Sequence, residues 1–125
     1  MPADGWYEWP VIDGTKRPQF ISRADGPCYF AGLASITERT APDQAGMVII
    51  TSDADGGLVD VHDRRPVALN ESDARLWLDP ALQPEAAEQL MHYGMLPSAA
   101  FRWWEVTKAV GNVRNEGSQL AMPLA

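Results

Sequence analysis

The amino-acid sequence predicts an α+β fold: a mainly antiparallel β-sheet with two short helices that come late in the chain. Short segments of alternating apolar and aromatic residues, bounded by turn formers, recur through the first half of the 125 residues. This pattern is typical of strands joined by short loops. In the second half the apolar spacing lengthens to three or four residues, which is typical of helices. We expect one compact domain, because a chain of this length has little room for a second core.

The predicted strands are short and are separated by turn signals such as Asp25-Gly26, a dipeptide that favours hairpin turns. In chain order they are Trp6 to Trp9, Gln19 to Arg23, Tyr29 to Ser35, Met47 to Thr51, Pro66 to Leu69 and, after the helices, Phe101 to Lys108. The unbroken apolar run from Met47 to Ile50 predicts a strand that is buried on both faces.

Two helices are predicted between residues 70 and 94. The stretch Asn70-Glu71-Ser72-Asp73 offers N-cap candidates for a short helix through Leu76 and Leu78, which Pro80 stops. Pro84 is well placed as the first residue of a second helix, because its missing N–H is not needed there, and Gly94 is the expected C-cap.

Composition and charge exclude several classes of protein. The chain has 17 acidic and 10 basic residues and a net charge of −7, which disfavours non-specific binding of nucleic acid by the whole surface. Any contact with DNA must therefore be local. No apolar run approaches the roughly 20 residues that a membrane helix needs. The first residues do not resemble a secretory signal, and a single cysteine forms no internal disulfide, so we expect a cytoplasmic protein with no membrane contact.

Glu8 is the first candidate for proton-transfer chemistry. In a strand from Trp6 to Trp9, alternation places Trp6 and Glu8 on one face and Tyr7 and Trp9 on the other. A carboxylate held against an indole loses hydration, which raises its pKa and suits it to act as a general acid or base. The alternative is an exposed glutamate on the solvent face of an edge strand.

His62 is the second candidate, in a segment where Asp60, Asp63, Arg64 and Arg65 are also ionisable. Histidine titrates near neutral pH, and flanking carboxylates would hold its ring. The alternative is a charged loop that precedes a strand. Metal and cofactor sites are not predicted, because the two histidines are thirty positions apart and no phosphate-binding glycine motif is present. Cys28 is expected to be a buried, unreactive thiol.

Three segments, in the right order and at workable spacing, resemble the SOS response-associated peptidase (SRAP) family. The first is the aromatic-glutamate strand that contains Trp6 to Trp9. The second is Thr51 followed by Val61 to Pro66, and the third is the stretch from Val110 to Gly117. The similarity extends over residues 1–125 and corresponds to the C-terminal portion of such a domain, so a partial SRAP-like fold is expected.

The resemblance implies catalytic roles for Glu8 and His62 and nucleic-acid contacts for Arg64 and Thr51, without a cofactor or metal. The partner implied is single-stranded DNA that carries an abasic site. In the family an N-terminal cysteine captures the ring-opened abasic aldehyde, and its amine and thiol close a thiazolidine. The glutamate orients the amine and the histidine moves protons. The resemblance also implies a peptidase, and so a hydrolase, activity that exposes this cysteine.

The chain departs from the family pattern upstream of Trp6. The family's Met-Cys-Gly-Arg-like opening and its Asn-Ala-Arg segment are not found, so we expect a truncated or split SRAP domain that cannot crosslink DNA alone. The alternative is a non-catalytic binding or remnant module. In either case we expect self-association or a complementing N-terminal fragment. A protease of another mechanism is opposed by the absence of a plausible Ser-His or Cys-His arrangement.

Overall fold

The structure, a computed structural model, describes residues 1–124. Its antiparallel strand pairs and two helices confirm the predicted α+β class. The described elements are β1 (Pro2–Ala3), β2 (Gly5–Glu8), β3 (Val11–Ile12), β4 (Thr15–Lys16), β5 (Gln19–Arg23), β6 (Cys28–Phe30), β7 (Gly32–Ser35), β8 (Gly46–Ile49), β9 (Thr51–Asp53), β10 (Arg64–Pro66), β11 (Ala68–Leu69), α1 (Glu71–Trp77), α2 (Pro84–Gly94) and β12 (Phe101–Glu105).

The chain forms two compact units, and each is assembled from separate stretches of sequence. Unit 1 comprises Met1–Ala3, Cys28–Ser52 and Arg65–Leu96. Unit 2 comprises Asp4–Pro27, Asp53–Arg64 and the residues from Pro97 onward. Both units therefore depend on contacts between residues that are far apart in sequence.

Unit 2 is built on an antiparallel sheet with the strand order β12-β5-β2. The register pairs Trp6 with Ile21 and Ile21 with Trp103, so these three side chains share one face. Phe101 lies on the same face, and its ring meets the Trp6 ring edge-on at 5.2 Å. The opposite face carries a second aromatic row formed by Tyr7, Phe20 and Trp104. Rings on both faces hold β5 in place as the central strand.

Unit 1 has a small apolar core under its two helices. Ala31, Val67 and Leu69 are its buried centre. The partly buried residues that pack against this centre are Ile50, Ala74, Trp77, Met91 and Met95. Helix α1 is capped by Asn70, the first residue of the stretch that offered N-cap candidates, whose side chain accepts a hydrogen bond from the Asp73 N–H at 2.8 Å. Within the described residues, no helix has the length and apolarity needed to cross a membrane.

The hairpin formed by β7 and β8 corrects one prediction. The apolar run from Met47 was expected to be buried on both faces, but Met47, Val48 and Ile49 are 51%, 60% and 37% exposed. Strand β8 pairs with β7 only, and no third strand joins this sheet among residues 1–124. The apolar run therefore predicted the strand correctly. Burial of the strand depends on another strand or helix that packs against it, and the run itself does not show whether such an element is present.

The predicted strand from Tyr29 to Ser35 is divided at Ala31, which separates β6 from β7. The Ala31 N–H donates to the Val67 carbonyl, and the Ala31 carbonyl accepts from the Ile50 N–H, each at 2.9 Å. Ala31 is 1% exposed. The strand breaks because this residue's backbone bonds to two different segments at the centre of the unit 1 core.

Candidate functional site

Glu8 is the last residue of β2, the edge strand of the unit 2 sheet, and lies opposite Gln19 in the register. It shares a face with Trp6, as strand alternation predicted, and the two side chains are hydrogen-bonded. Because the indole N–H is the only polar donor of Trp6, it donates to the carboxylate. The Glu8 side chain is 21% exposed, so it is partly withdrawn from water but still accessible.

Desolvation by burial raises the pKa of Glu8 above its ordinary value. The positive charge that His62 carries when protonated opposes this rise, as does the hydrogen bond from Trp6, whereas the nearby Asp63 carboxylate adds to it. The net direction is upward, which is the direction that favours a carboxyl group able to exchange protons near neutral pH.

His62 is brought to the same face of the sheet by a 3₁₀ turn, Gly56–Asp60. The backbone N–H groups of Val61 and His62 both donate to the Leu58 carbonyl at 3.0 Å, which closes this turn. Gly57 packs so closely on Trp103 that a Cβ at this position would lie 3.0 Å from the indole ring. Since Trp103 is on the face that carries Trp6 and Glu8, the turn presents His62 toward Glu8.

A buried serine fixes the start of this turn. Ser98 is 9% exposed, and its hydroxyl donates to the Asp55 carbonyl oxygen at 2.7 Å and is also hydrogen-bonded to the Asp55 carboxylate. Asp55 directly precedes Gly56–Asp60. The 3₁₀ turn is therefore anchored at its first residue by Ser98 and along its length by Trp103.

The two nitrogens of the His62 ring face different groups. Nδ1 lies 3.0 Å from the Arg64 backbone nitrogen, 3.1 Å from the Arg64 carbonyl oxygen and 3.3 Å from the Asp63 carboxylate. The Arg64 N–H fits an Nδ1 atom that accepts, whereas the two oxygens fit an Nδ1 atom that carries a proton. Nε2 is 3.9 Å from the Glu8 Oε2 atom. The structure thus brings together Glu8 and His62, which are 54 positions apart in sequence.

The separation of 3.9 Å is too long for a direct hydrogen bond but suits a shared ligand atom. An oxygen or nitrogen roughly 2.8 Å from both groups would contact each of them, with the two contacts roughly at right angles. The His62 side chain is 48% exposed, so such an atom has access from solvent. The pair can therefore donate a proton from one side of a bound group and accept a proton on the other.

Arg64 lies two residues after His62, at the start of β10. Its guanidinium Nη1 donates to the Asp53 carboxylate at 2.7 Å. Both side chains are largely exposed, so this pair stabilises the fold little, but it holds the guanidinium in one direction. A phosphate that bound Arg64 would have to compete with Asp53 or approach the remaining donors of the fork.

The remaining predicted site residue, Thr51, and the single cysteine, Cys28, lie in unit 1. Thr51 is the first residue of β9 and is exposed. Cys28 is 0% exposed, and its thiol contacts the Ala3 carbonyl at 3.7 Å, in agreement with the predicted buried thiol. Among residues 1–124, no three His, Cys, Asp or Glu side chains are grouped in a way that could hold a metal ion.

Sequence reasoning missed the residues that position His62. Asp55, Ser98 and Trp103 are separated from it by up to 41 positions and belong to no shared motif. The close spacing of Gly56 and Gly57 before Leu58 was the one local signal, because adjacent glycines mark a close backbone approach. The partner on which they pack could not be identified from the sequence.

Comparison with known proteins gives one matching family. The family model described as "SOS response associated peptidase (SRAP)" matches residues 1–113. Abasic site processing protein YedK of Escherichia coli is 41% identical over 123 residues, which cover 98% of this chain and 55% of that protein. An abasic site processing protein of Saccharomyces cerevisiae is 30% identical, over 96% of this chain and 33% of its own length. The chain thus spans about half or less of the length of these relatives.

Solved structures show the same fold. A phage-related protein from Bordetella bronchiseptica matches with a TM-score of 0.74 and 44% identity, over 86% of this chain and 52% of its own. A protein from Bacteroides thetaiotaomicron matches with a TM-score of 0.77 over 100% of this chain and 56% of its own. The identity of the second is only 20%, so its likeness concerns the fold alone.

Proposed function

The chain belongs to the SOS response-associated peptidase family, and on that premise we propose that it takes part in processing abasic sites in single-stranded DNA, with Glu8 and His62 as the proton-transfer pair. The observation that carries this proposal is the distance of 3.9 Å between His62 Nε2 and Glu8 Oε2, with both groups accessible to solvent. The names of the relatives, which are abasic site processing proteins, support the choice of substrate.

The proposed chemistry is the opening and closing of the abasic sugar. The closed sugar is a cyclic hemiacetal, and its ring opens when the hydroxyl on the anomeric carbon loses a proton and the ring oxygen gains one. His62 donates its Nε2 proton to the ring oxygen, while the Glu8 carboxylate accepts the hydroxyl proton. The products are an aldehyde and a free hydroxyl on the sugar, and reversal of the two transfers restores the ring.

Glu8 has a second role once the aldehyde has formed. An amine adds to the aldehyde carbon only in its unprotonated form, and a carboxylate whose pKa is raised can accept the ammonium proton. Loss of water then gives an imine, and addition of a thiol to the imine carbon closes a thiazolidine. The sum is one aldehyde and one aminothiol giving one thiazolidine and one water.

Arg64 and Thr51 are the proposed contacts to the DNA backbone. Arg64 lies two residues after His62 and carries a fork of N–H donors that fits phosphate oxygens, which supports a contact with the phosphate beside the reacting sugar. Thr51 offers a hydroxyl donor. The chain's net charge of −7 makes such local contacts necessary, because the surface as a whole repels DNA.

We further propose that these 125 residues correspond to the C-terminal portion of an SRAP domain and need an aminothiol from elsewhere to capture the aldehyde. The support for this is that the chain covers 55% of the length of the Escherichia coli relative YedK and that Cys28, the single cysteine of these 125 residues, is buried. Incubation of this chain with abasic single-stranded DNA should therefore leave no stable covalent band on a denaturing gel. A band that persists in a Cys28→Ala variant would contradict this part of the proposal.

The proton-transfer role is tested by supplying the aminothiol. Free L-cysteine is added to a single strand that carries one abasic site, and thiazolidine formation is followed by mass spectrometry with and without the chain. Wild-type protein should accelerate the reaction, and Glu8→Gln or His62→Gln should each reduce this acceleration by at least about tenfold. The matched controls are Glu85→Gln and His92→Gln, which change an exposed glutamate and the other histidine. Equal rates for His62→Gln and His92→Gln would refute the proposed role.

A further inference from the structure

Three tryptophans donate their indole N–H group in a hydrogen bond, and the acceptors differ in kind. Trp77 and Trp104 donate to backbone carbonyl oxygens, at 3.0 and 2.7 Å. Such a bond ties a ring to the backbone and serves the fold. Trp6 donates instead to the Glu8 carboxylate, a group that gains and loses a proton. The Trp6 bond therefore acts on a member of the candidate proton-transfer pair.

The fold holds the Trp6 ring in one orientation. Trp6 lies opposite Ile21 in the register of β2 and β5, and Ile21 is 1% exposed. The Trp6 ring also meets the ring of Phe101 edge-on at 5.2 Å, with an angle of 75° between the two planes. Phe101 is buried as well. A ring packed against two buried side chains rotates little, so its N–H group points in a fixed direction.

The Glu8 carboxylate can serve Trp6 and a substrate at the same time. Two carboxylate oxygens offer about four acceptor positions, and one indole N–H occupies one of them. The Glu8 Oε2 atom lies 3.9 Å from His62 Nε2, so the carboxylate also faces the space between the pair. A carboxylate that turned freely would lose this alignment, and the bond from Trp6 restricts the turning.

We propose that Trp6 is a positioning residue for the proposed reaction: its indole N–H holds the Glu8 carboxylate in the direction in which it accepts a proton. This inference rests on the proposed function, because that reaction supplies the proton. Trp6 acts through Glu8 and does not exchange a proton itself, since an indole N–H serves only as a hydrogen-bond donor.

The same bond favours the ionised form of Glu8. Desolvation has the largest influence on the pKa of Glu8 and raises it, whereas the hydrogen bond from Trp6 lowers it. Without the indole N–H, the pKa of Glu8 should rise further. At a given pH a smaller fraction of Glu8 would then be ionised and able to accept a proton, and the deficit should grow as pH falls.

Other charged groups also face Glu8, and the test must distinguish their effects from that of Trp6. When protonated, His62 lowers the pKa of Glu8, and the Asp63 carboxylate raises it. Glu105 of β12 is on the same face of the sheet, but Gln19 of β5 lies between, so two strand spacings, about 10 Å, separate Glu105 from Glu8. A change confined to the indole N–H leaves these groups in place.

The test measures how much the chain accelerates cysteine-assisted thiazolidine formation, relative to the reaction without protein, between about pH 5 and pH 8. Trp6→Phe should reduce the acceleration by about three- to tenfold near neutral pH, and by more at lower pH. Replacement of Trp6 by benzothienylalanine keeps the shape of the ring but has sulfur in place of the N–H group. This variant should behave like Trp6→Phe, because packing on Phe101 is retained.

The matched control is Trp104→Phe, which removes an indole hydrogen bond on the opposite face of the same sheet. Its acceleration should depend on pH as that of wild type does. In a Glu8→Gln background, Trp6→Phe should change the acceleration by less than about twofold, because its route of action is already lost. Equal losses for Trp6→Phe and Trp104→Phe at every pH, or a Trp6→Phe loss that keeps its full size in Glu8→Gln, would overturn the proposal.

Nuclear magnetic resonance of the isotope-labelled protein gives a readout that needs no reaction. The Trp6 indole N–H signal, identified by its absence in Trp6→Phe, should shift as Glu8 gains its proton and should lose this shift in Glu8→Gln. The Trp104 signal should not follow the titration of Glu8. A Trp6 signal that does not respond to Glu8 would overturn the proposal, whatever the activity. A Trp6 signal that responds in a protein without any acceleration would contradict the proposed function alone.

Discussion

The three-stranded sheet of unit 2 and the β7–β8 hairpin of unit 1 are both made of apolar strand residues, yet their burial is opposite. Ile21, in the central strand of the sheet, is 1% exposed, whereas Val48 in the hairpin is 60% exposed. Strand β5 has a paired neighbour on each side and aromatic rows on both faces. The hairpin has two strands only. Apolar residues thus specify a strand locally, and burial is decided by what pairs and packs around it.

The same contrast explains where the candidate site lies. Glu8 is at the edge of the sheet that aromatic rings hold rigid, so its carboxylate has a fixed direction. His62 is delivered by a turn that Ser98 and Trp103 anchor. Proton transfer requires positions fixed to a fraction of an ångström, which well-packed elements provide better than an exposed hairpin does.

The largest expected effect comes from the same substitution made in both regions. Ile21→Ala removes a fully buried side chain and should lower the free energy of unfolding by about 2 to 5 kcal/mol. Ile49→Ala removes a side chain that is 37% exposed and should cost less than about 1 kcal/mol. Urea unfolding of the two variants checks this difference. Equal losses would mean that the hairpin is covered in solution.

If the two variants lose equal stability, sedimentation of wild-type protein and of Ile49→Ala shows whether a second copy of the chain covers the β7–β8 hairpin. Sedimentation velocity of wild-type protein reports self-association, which is one of the two partners expected from the sequence. An Ile49→Ala loss as large as the Ile21→Ala loss, together with a dimer that dissociates in Ile49→Ala, would identify a second copy as the cover. A monomer with unequal losses agrees with the exposed hairpin of the structure.

A smaller effect is expected from Glu8→Gln on stability. The unfolded chain releases the Glu8 proton near the ordinary pKa of 4.5, whereas the folded chain releases it at a higher pH, because desolvation raises the pKa. Just above pH 4.5 the folded chain therefore keeps a proton on Glu8 that the unfolded chain has released. The stability that this bound proton provides is lost as pH rises through the pKa of Glu8 in the folded chain. Glu8→Gln should therefore be more stable relative to wild type at pH 7 than at pH 4.

Urea unfolding at the two pH values measures this change, with Glu85→Gln as the exposed control. A difference between Glu8→Gln and wild type that is the same at both pH values would show that the carboxyl is not desolvated. That result would weaken the case for Glu8 as a proton-transfer group but would leave the packing contrast unaffected.

The sequence predicted the local parts of this molecule well. Helix α2 begins at Pro84 and ends at Gly94, and β5 runs from Gln19 to Arg23, as expected. Alternation placed Trp6 and Glu8 on one face, and burial of the Glu8 carboxyl there raises its pKa, although the hydrogen bond from Trp6 acts in the opposite direction. These features depend on residues that are neighbours in sequence, where periodicity and capping act directly.

The sequence alone could not predict the long-range parts. The burial expected for Met47 to Ile49 was wrong, because apolar runs do not show whether a third strand is present. The distance between Glu8 and His62 depends on Gly57 meeting Trp103 and on Ser98 holding Asp55, none of which shares a motif with either residue. The family resemblance assigned Glu8 and His62 to one active site. The distance between their side chains could be obtained only from the structure.

The central claim, that Glu8 and His62 act as one pair, is tested most directly by a double-mutant cycle. Cysteine-assisted thiazolidine formation on an abasic single strand is measured for wild type, Glu8→Gln, His62→Gln and the double variant. Because the two proton transfers belong to the same step, the double variant should be no slower than the slower single variant, within about twofold. Losses that multiply in the double variant, or a wild-type rate in either single variant, would contradict the claim.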